Sequence, residues 1–282
     1  MKLITKVDSK NYNEYKDLTD ALIMPLANYA VGYKSYFTLE EIKEAKGLDL
    51  FVVINKNIFN DDIDELKEVL KEIDKLNISG ILFYDLSLIA LKKELNLKTD
   101  LILDITHMMD NHDLVNYFSD LGINGVRLPS ELTIDEIKSI KQESKIPIMV
   151  NYIGVEDVAF SKRKLLTNSN IKKDSTIIKE EISKEEFIVN ESDLGTSFLK
   201  KEIFNASSAL EELVKVNIDY IILNEDYIEH DKFIKILAKT KEVLDNKKNY
   251  SDYQKEIESL IGNYTGFLYK DMIYWVKGNE KD

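Results

Sequence analysis

The sequence predicts a closed α/β barrel, the (β/α)8 arrangement, modified by a β-rich insertion and a C-terminal hairpin. Short β-rich runs alternate with amphipathic helical stretches along most of the 282 residues, a pattern typical of a parallel sheet. The number of these units, about seven or eight, favours a closed barrel over a doubly wound sheet. No glycine-rich nucleotide-binding loop follows any of the runs, which weakens the doubly wound alternative further.

The predicted strands are short runs of apolar and β-branched residues. They cover residues 21–26, 50–54, 80–84, 101–105, 125–128, 148–153 and 220–223. The helices between them have apolar residues at helical spacing. They cover residues 39–45, 63–76, 87–95, 113–121, 134–143 and 207–216. Two of these helices begin with a capping box, Thr38 with Glu41 and Thr133 with Glu136, in which the side chains satisfy free backbone amides of the first turn.

The alternation breaks between residues 161 and 204, where β-like pieces at 176–182 and 186–190 are separated by charged turns. We interpret this segment as an insertion at the mouth of the barrel or an edge hairpin. The tail continues with helical patterns and then an aromatic, alternating stretch at 266–276. We expect this stretch to close one end of the barrel rather than to stack bases.

The predicted domain organisation follows from these changes of pattern. Residues 1–248 form the barrel, with its insertion at about 161–204, and residues 249–282 form a C-terminal helix and aromatic hairpin packed on it. The sequence has no apolar run that could span a bilayer and no basic-then-apolar leader, so we expect a cytoplasmic protein without a membrane partner.

Charge and cysteine content restrict the function classes. The net charge of −13 argues against broad non-specific nucleic-acid binding, which needs a basic surface. A local basic groove stays open as an alternative to a solvated loop, because residues 162–164 are three consecutive basic residues. The chain has no cysteine, which excludes disulfides, thiolate metal sites, cysteine nucleophiles and cysteine-ligated iron–sulfur clusters.

The two arginines are conspicuous because 36 lysines supply the positive charge elsewhere. In a chain that otherwise uses lysine, an arginine suggests a need for forked hydrogen bonding to a carboxylate or a phosphate. A structural ion pair is the alternative. Arg127 lies in GVRLPSEL and Arg163 in SKRKLL. Strand alternation directs Arg127 into the barrel only if Val126 and Leu128 pack against the helices.

Catalytic side chains of a parallel barrel come from the carboxyl ends of its strands and the loops that follow. Polar residues in such places are Asp104, His107, Arg127, Ser130, Glu131, Asn151, Tyr152, Ser161, Lys162, Arg163, Asn224, Glu225 and Asp226. Asp104 and His107 supply only two ligands, too few for a metal site. No serine-nucleophile or zinc-protease motif is present.

Four segments in order along the chain form a more specific pattern. They are NHDLVNYFSDLGINGVRLPSELTIDEI at 111–137, SKRKLLTN at 161–168, ESDLGTSFLKKEIFN at 191–205 and TGFLYKDMIYWVK at 265–277. Together they resemble the collagenase-like peptidase family, peptidase family U32, in its short Gram-positive form. The resemblance implies a modified TIM-type barrel. It also implies a role in 5-hydroxylation of tRNA uridine with prephenate as the oxygen source, although family members are labelled proteases.

The sequence departs from the family pattern in two places. Hydroxylating relatives usually carry a cysteine-bound iron–sulfur cluster, which this chain cannot hold. Where the family commonly has Arg-Glu-Leu, this chain has Ser130, Glu131 and Leu132, so the resemblance extends to the glutamate but not to the arginine. Arg127 either replaces that missing arginine or forms a barrel ion pair. Lys162 and Arg163 match a basic pair of the family, so Arg163 is the preferred functional arginine.

The resemblance implies a cluster-less member of tRNA uridine hydroxylation, a companion of a longer, cysteine-bearing paralogue, with tRNA and a prephenate-like co-substrate as ligands and no cofactor of its own. It implies a catalytic or orienting role for Glu131. The residues expected to bind a substrate or another anion are Lys162, Arg163, Arg127 and Asn151. Two alternatives stay open: a peptidase acting on extended polypeptides, and a non-catalytic scaffold whose aromatic tail docks a partner.

Overall fold

Thirteen strands organise the computed structural model, which describes residues 1–45, 49–105, 107–246 and 249–270. In chain order they are β1 (Lys2–Lys6), β2 (Ala21–Pro25), β3 (Asp49–Ile54), β4 (Gly80–Phe83), β5 (Leu101–Asp104), β6 (Gly125–Arg127), β7 (Ile148–Gly154), β8 (Asp157–Ser161), β9 (Ser175–Lys179), β10 (Glu186–Ser192), β11 (Gly195–Lys200), β12 (Phe204–Asn205) and β13 (Tyr220–Asn224). Strands β1 to β7 and β13 pair in parallel around a closed ring, in which β13 lies between β7 and β1. The predicted eight-stranded barrel is confirmed.

Most helices of the described residues connect the barrel strands on the outside of the ring or follow the last strand, and one short helix lies in the insertion between β8 and β9. They are α1 (Leu39–Glu44), α2 (Ile63–Asp74), α3 (Ser87–Leu95), α4 (His112–Asp120), α5 (Ile134–Glu143), α6 (Leu165–Asn168), α7 (Leu210–Lys215), α8 (His230–Asn246) and α9 (Tyr250–Ile261). Both predicted capping boxes are present, at the starts of α1 and α5. They satisfy backbone amides that the helix itself leaves free.

The core has two layers separated by the barrel wall. A small inner cluster fills the barrel and includes Ile4, Phe51 and Met149, whereas a larger outer cluster lies between the strands and the helices. Val126 and Leu128 belong to the outer cluster and are 0% and 2% exposed. Strand alternation therefore turns Arg127 into the barrel, which meets the condition set by the sequence.

The inner layer changes from apolar to polar at the carboxyl ends of the strands. By alternation, the inner residues Ile4, Ile102, Met149 and Ile222, together with Gly125 of β6, are each followed on the same face by a polar residue. These polar residues are Lys6, Asp104, Arg127, Asn151 and Asn224, each at or near the end of its strand. The apolar fill therefore holds the barrel closed and leaves charged groups at its mouth.

The β-rich insertion is a four-stranded antiparallel sheet with the order β8-β11-β10-β9, and it starts at Asp157, earlier than residue 161. The chain leaves the barrel at Gly154, which has a φ of +140°. A Cβ atom there would lie 2.6 Å from the Cβ of Asn224 and 2.9 Å from its carbonyl oxygen. Glycine is therefore required where the chain turns away from β13 toward the mouth. Strand β12 returns to pair with β7.

The C-terminal segment packs across the outer layer of the barrel. The Tyr253 hydroxyl of α9 lies 3.0 Å from the Tyr152 hydroxyl and 2.7 Å from Oγ1 of Thr240. Beyond α9, the carbonyl of Leu268 accepts a 2.9 Å hydrogen bond from the amide of Ile134. Most of the predicted hairpin, residues 271–276, lies outside the described residues, and the predicted domain limits stay a prediction. Within the described ranges, no helix combines the length and apolarity needed to cross a membrane.

A buried carboxylate ties the loop after β13 to the loop after β1. Glu225 is 2% exposed and accepts hydrogen bonds from the amide of Asp8 at 2.9 Å and from the Tyr15 hydroxyl at 2.6 Å. His230 lies between Glu225 and Glu14, with its ring nitrogens 2.6 and 2.5 Å from their oxygens. Hydrogen bonds to the two carboxylates raise the pKa of His230 above its ordinary value, against the opposing effect of burial.

This cluster predicts a stability that falls as pH rises. Because the folded-state pKa of His230 is higher than its unfolded value, the stabilisation is complete below about pH 6.5 and is lost as pH increases through the folded pKa. The imidazole is 40% exposed, so we expect a change of less than about 1 kcal/mol. Urea unfolding at pH 5.5 and pH 8.5 measures it, and His230→Gln should remove this pH dependence. An unchanged pH dependence in the variant would contradict the assignment.

Candidate functional site

A cavity of about 660 Å³ opens at the carboxyl ends of β5, β6 and β7, beneath the insertion. Its polar lining from the barrel includes Asp104, Arg127, Ser130, Glu131 and Asn151. The insertion and the C-terminal segment supply the other side, with Glu156, Asp157, Glu185, Phe187, Lys200, Tyr264, Phe267 and Lys270. Three parts of the chain that are distant in sequence therefore enclose one space at the end of the barrel where active sites of this fold lie.

Arg127 is a charged group of this cavity that two side-chain hydrogen bonds hold in place. Its Nη1 donates to Oδ2 of Asp104 at 3.0 Å and its Nε donates to Oδ1 of Asn151 at 2.9 Å. Nδ2 of Asn151 in turn donates to Oγ of Ser130 at 2.7 Å. The arginine side chain is 16% exposed and that of Asp104 is 8% exposed, so the pair is largely shielded from water.

The guanidinium stays positively charged and retains free donors. Burial by itself lowers the pKa of Arg127, but the negative charges around it, above all Asp104, raise the pKa above its ordinary value. Among the described residues, the bonds of Arg127 involve Nε and Nη1 only, which leaves Nη2 to an acceptor in the cavity. A planar fork with one occupied edge and one open edge suits a second carboxylate or a phosphate oxygen.

Asp157, the first residue of β8, separates the main cavity from a smaller one of about 340 Å³. The smaller cavity is lined by Val31, Gly32, Asn55, Asn57, Tyr84, Asp104, His107, Asp157, Val158, Ala159, Phe160 and Ser197. Asp157 is exposed at the barrel mouth, where it borders both cavities. The protein packed around the mouth and the charges of Asp104 and Asp226 raise the pKa of Asp157, against the lowering effect of Arg127.

A second acidic residue directly precedes Asp157. Glu156 is 8% exposed, and its Oε1 lies 3.2 Å from where a Cβ atom on Gly266 would be. Burial raises the pKa of Glu156, and the nearby charges of Lys200 and Lys270 oppose that rise. The cavity therefore combines an ordered arginine with carboxyl groups whose protonation is easier than in water.

The structure brings together three of the five residues selected from the sequence. Arg127, Glu131 and Asn151 line the same cavity. Lys162 and Arg163 are exposed in the turn after β8 and are not among its lining residues in the described chain. Nζ of Lys162 lies 4.3 Å from the ring centroid of Phe59, and the carbonyl of Arg163 accepts a hydrogen bond from Thr196. Both basic residues are thus exposed and lie outside the cavity.

Sequence reasoning missed Asp157, Glu156 and Lys200 as members of the site. The acidic pair had a recognisable signal, because it begins two residues after Gly154, just beyond the carboxyl end of a predicted barrel strand. Lys200 had none, since it comes from β11, far along the chain, and reaches the cavity only through the pairing of β11 with β8.

The residues present do not fit an iron–sulfur cluster. The chain has no cysteine, so no thiolate can ligate iron. Over residues 1–45, 49–105, 107–246 and 249–270, no three His, Asp or Glu side chains are grouped as a metal site.

Comparisons with known proteins give one family and two relatives. The model described as peptidase family U32 matches residues 19–271. "tRNA hydroxylation protein P2" of Bacillus subtilis (strain 168) is 23% identical over 258 residues, which is 83% of this chain and 84% of that protein. "tRNA hydroxylation protein P1" of the same strain is 28% identical over 145 residues, 49% of this chain and only 34% of that protein.

A solved structure with the same architecture is phosphoribosyl anthranilate isomerase from Thermus thermophilus. It superposes with a TM-score of 0.52 at 10% sequence identity and covers 88% of this chain and 100% of its own. At this identity the likeness concerns the barrel fold alone.

Proposed function

The chain belongs to peptidase family U32, and from this membership we propose that it acts in tRNA uridine hydroxylation as a companion subunit without an iron–sulfur cluster. The main support is the alignment with tRNA hydroxylation protein P2, which covers 83% of this chain and 84% of the relative. A match along nearly the whole of both chains is what a shared role requires.

The absence of cysteine from this chain implies that a second protein takes part in the reaction. Hydroxylation chemistry that depends on a cysteine-bound cluster has to be supplied by another chain, since this one has no thiolate. We propose that the partner is a longer, cysteine-bearing paralogue. The contribution of this chain is then binding and orientation of substrates, and its place of action is the cytoplasm, where tRNA is modified.

The cavity supplies an anchor for an anionic co-substrate. In our proposal a carboxylate of a prephenate-like molecule pairs with Nη2 of Arg127, while Asp104 and Asn151 hold the guanidinium in position. Glu131 lines the same cavity and orients the rest of the molecule. Arg127 thereby takes the role of the family arginine expected at Ser130, whose hydroxyl instead supports Asn151.

The exposed basic pair of the insertion contacts RNA in this proposal. Lys162 and Arg163 lie outside the cavity and are accessible to a phosphate backbone. Because the chain carries a net charge of −13, this contact is local and adds to RNA binding by the partner.

Genetic complementation tests the proposal. In a host lacking both this gene and the paralogue, we expect normal tRNA hydroxyuridine, measured by nucleoside mass spectrometry, only when both genes are returned. The double variant K162A/R163A should give less than about a tenth of that level, because two phosphate contacts are lost. K71A/K75A removes the same charge from two exposed lysines at the C-terminal end of α2 and serves as the matched control. Full hydroxyuridine from the paralogue alone would contradict the companion role.

A further inference from the structure

The β-rich insertion ends in an edge strand, β9. Among the strands of the described ranges, β9 pairs with β10 alone, and a groove of about 720 Å³ lined in part by Ser175, Thr176 and Ile177 opens beside it. A charged residue or a proline within an edge strand commonly prevents pairing with another chain. The strand sequence STIIK has neither before its last residue, so its edge is open to a further strand.

The hydrogen bonds of β9 determine which residues face this edge. The amide of Glu180 donates to the carbonyl of Glu185 at 2.9 Å, and the amide of Glu191 donates to the carbonyl of Asp174 at 2.7 Å. Both bonds continue the β9–β10 ladder, so the even-numbered residues of β9 bond to β10. The odd-numbered residues turn their N–H and C=O groups toward the free edge, and these are Ser175, Ile177 and Lys179.

An apolar row that crosses the insertion sheet stops at the same edge. Ile177 pairs with Ile188, which pairs with Leu199, so the three side chains lie side by side on one face. Leu199 and Ile188 are 1% and 6% exposed, whereas Ile177 is 54% exposed. An added strand with an apolar residue opposite Ile177 would therefore continue the row and bury its last member.

The charges that flank β9 are complementary in the antiparallel sense. Residues 172–174 before the strand are two lysines and one aspartate, with one positive charge in excess. Residues 179–181 at its end are one lysine and two glutamates, with one negative charge in excess. When two copies of the strand pair antiparallel about an axis beside Ile177, the positive start of each lies beside the negative end of the other.

We propose that β9 pairs antiparallel with β9 of a second copy of this chain, centred on Ile177, so that the two insertions form one continuous sheet. Ile177 then packs against its counterpart, and Ser175 of each copy lies opposite Lys179 of the other. The outward N–H groups of each copy donate to the outward carbonyls of the other. A register shifted by two residues would place Lys173 opposite Lys179, and these like charges disfavour it. This pairing uses no residue that lines the main cavity, so it is independent of the proposed function.

Sedimentation of the purified chain tests the pairing in solution. Because one strand edge buries less surface than a standard interface, we expect a reversible dimer at about 100 µM that dissociates at about 1 µM. Ile177→Lys should raise the dissociation constant at least about tenfold, since two ammonium groups then meet at the centre of the interface. Leu86→Lys is the matched control, because Leu86 is 51% exposed and lies outside the insertion. It should keep the wild-type dissociation constant.

Introduced cysteines report the register, because the chain has no cysteine of its own. Opposite residues of a hydrogen-bonded antiparallel pair have Cα atoms about 5.5 Å apart, which a disulfide can span. With oxidised glutathione, Ile177→Cys should form a disulfide-linked dimer, and so should a mixture of Ser175→Cys with Lys179→Cys, whereas Ser175→Cys alone should not. Ile182→Cys is the control for random collisions, since Ile182 is 91% exposed in the turn after β9.

Three results would overturn the inference: a chain that stays monomeric at the higher concentration, an unchanged dissociation constant in I177K, or cross-linking of I182C as fast as that of I177C. A monomer that binds the paralogue through this edge would equally overturn it. Thermal unfolding of each variant shows that it is folded. Hydroxyuridine complementation is a separate measurement, so the companion role can fail while the dimer persists, and the reverse.

Discussion

Arg127→Ala is expected to lower the free energy of unfolding by about 3 kcal/mol and to abolish prephenate binding. The side chain of Asp104 is 8% exposed and has Arg127 as its ion-pair partner, so removal of the arginine leaves a carboxylate buried without compensation. The same change removes the Nε–H group that donates to Oδ1 of Asn151, and it removes the free Nη2 to which a ligand could bind. Urea unfolding measures the first effect and calorimetry the second.

Two further variants separate the structural effect from the binding effect. The double variant D104N/R127M has neither buried charge and should recover most of the lost stability without recovering binding. Arg127→Lys keeps a positive charge but cannot form two hydrogen bonds in a plane, so we expect a folded protein with at least about tenfold weaker binding. Binding to D104N/R127M as tight as to the wild type would show that Arg127 is only a structural ion pair.

Lys6→Met is expected to cost about 3–5 kcal/mol of folding free energy, although Lys6 lies outside the binding cavity. The side chains of Lys6 and Asp226 are 2% and 0% exposed, and Lys6 pairs directly with the carboxylate. Without the ammonium group, the one hydrogen bond that residues of the described ranges still give the Asp226 carboxylate is that from the amide of Lys34, at 3.3 Å. Equilibrium unfolding in urea measures the loss.

Lys71→Met is the matched control for this prediction. It also removes one ammonium from an ion pair, but Lys71 and its partner Glu68 are 46% and 72% exposed, so the cost should stay below about 1 kcal/mol. The double variant K6M/D226N should recover part of the stability, because it leaves no unpaired buried charge. A loss in K6M no larger than that in K71M would contradict the importance of the buried pair.

Much of the barrel could be predicted from sequence because each strand and helix has a local pattern. Capping boxes at Thr38 and Thr133 and the alternation around Arg127 are properties of a few neighbouring residues, and the structure has all of them. Strand β1 was missed. Its sequence KLITK has lysine at both ends and resembles an exposed segment, and only its pairing with β13 and β2 makes it a barrel strand.

The site was less predictable because it is assembled from distant segments. Position in the fold identified Arg127, Glu131 and Asn151, which all follow barrel strands. The environment of Asp157 depends on side chains from β1, β5, β6 and the loop after β13 at once, and no local pattern encodes such a convergence. The family pattern favoured Arg163 over Arg127, whereas the structure places Arg127 in the cavity and Arg163 outside it.

The pairing of β1 with β13 has a consequence for how the protein is made. Lys2 aligns with Tyr220 and Lys6 with Asn224, so β1 is synthesised more than 200 residues before β13, its second neighbour in the ring. Contacts between residues so far apart in sequence form slowly. Barrel closure is therefore a late event after synthesis. Until then β1 and β7 are exposed sheet edges, which makes the nascent chain a substrate for chaperones that cover such edges.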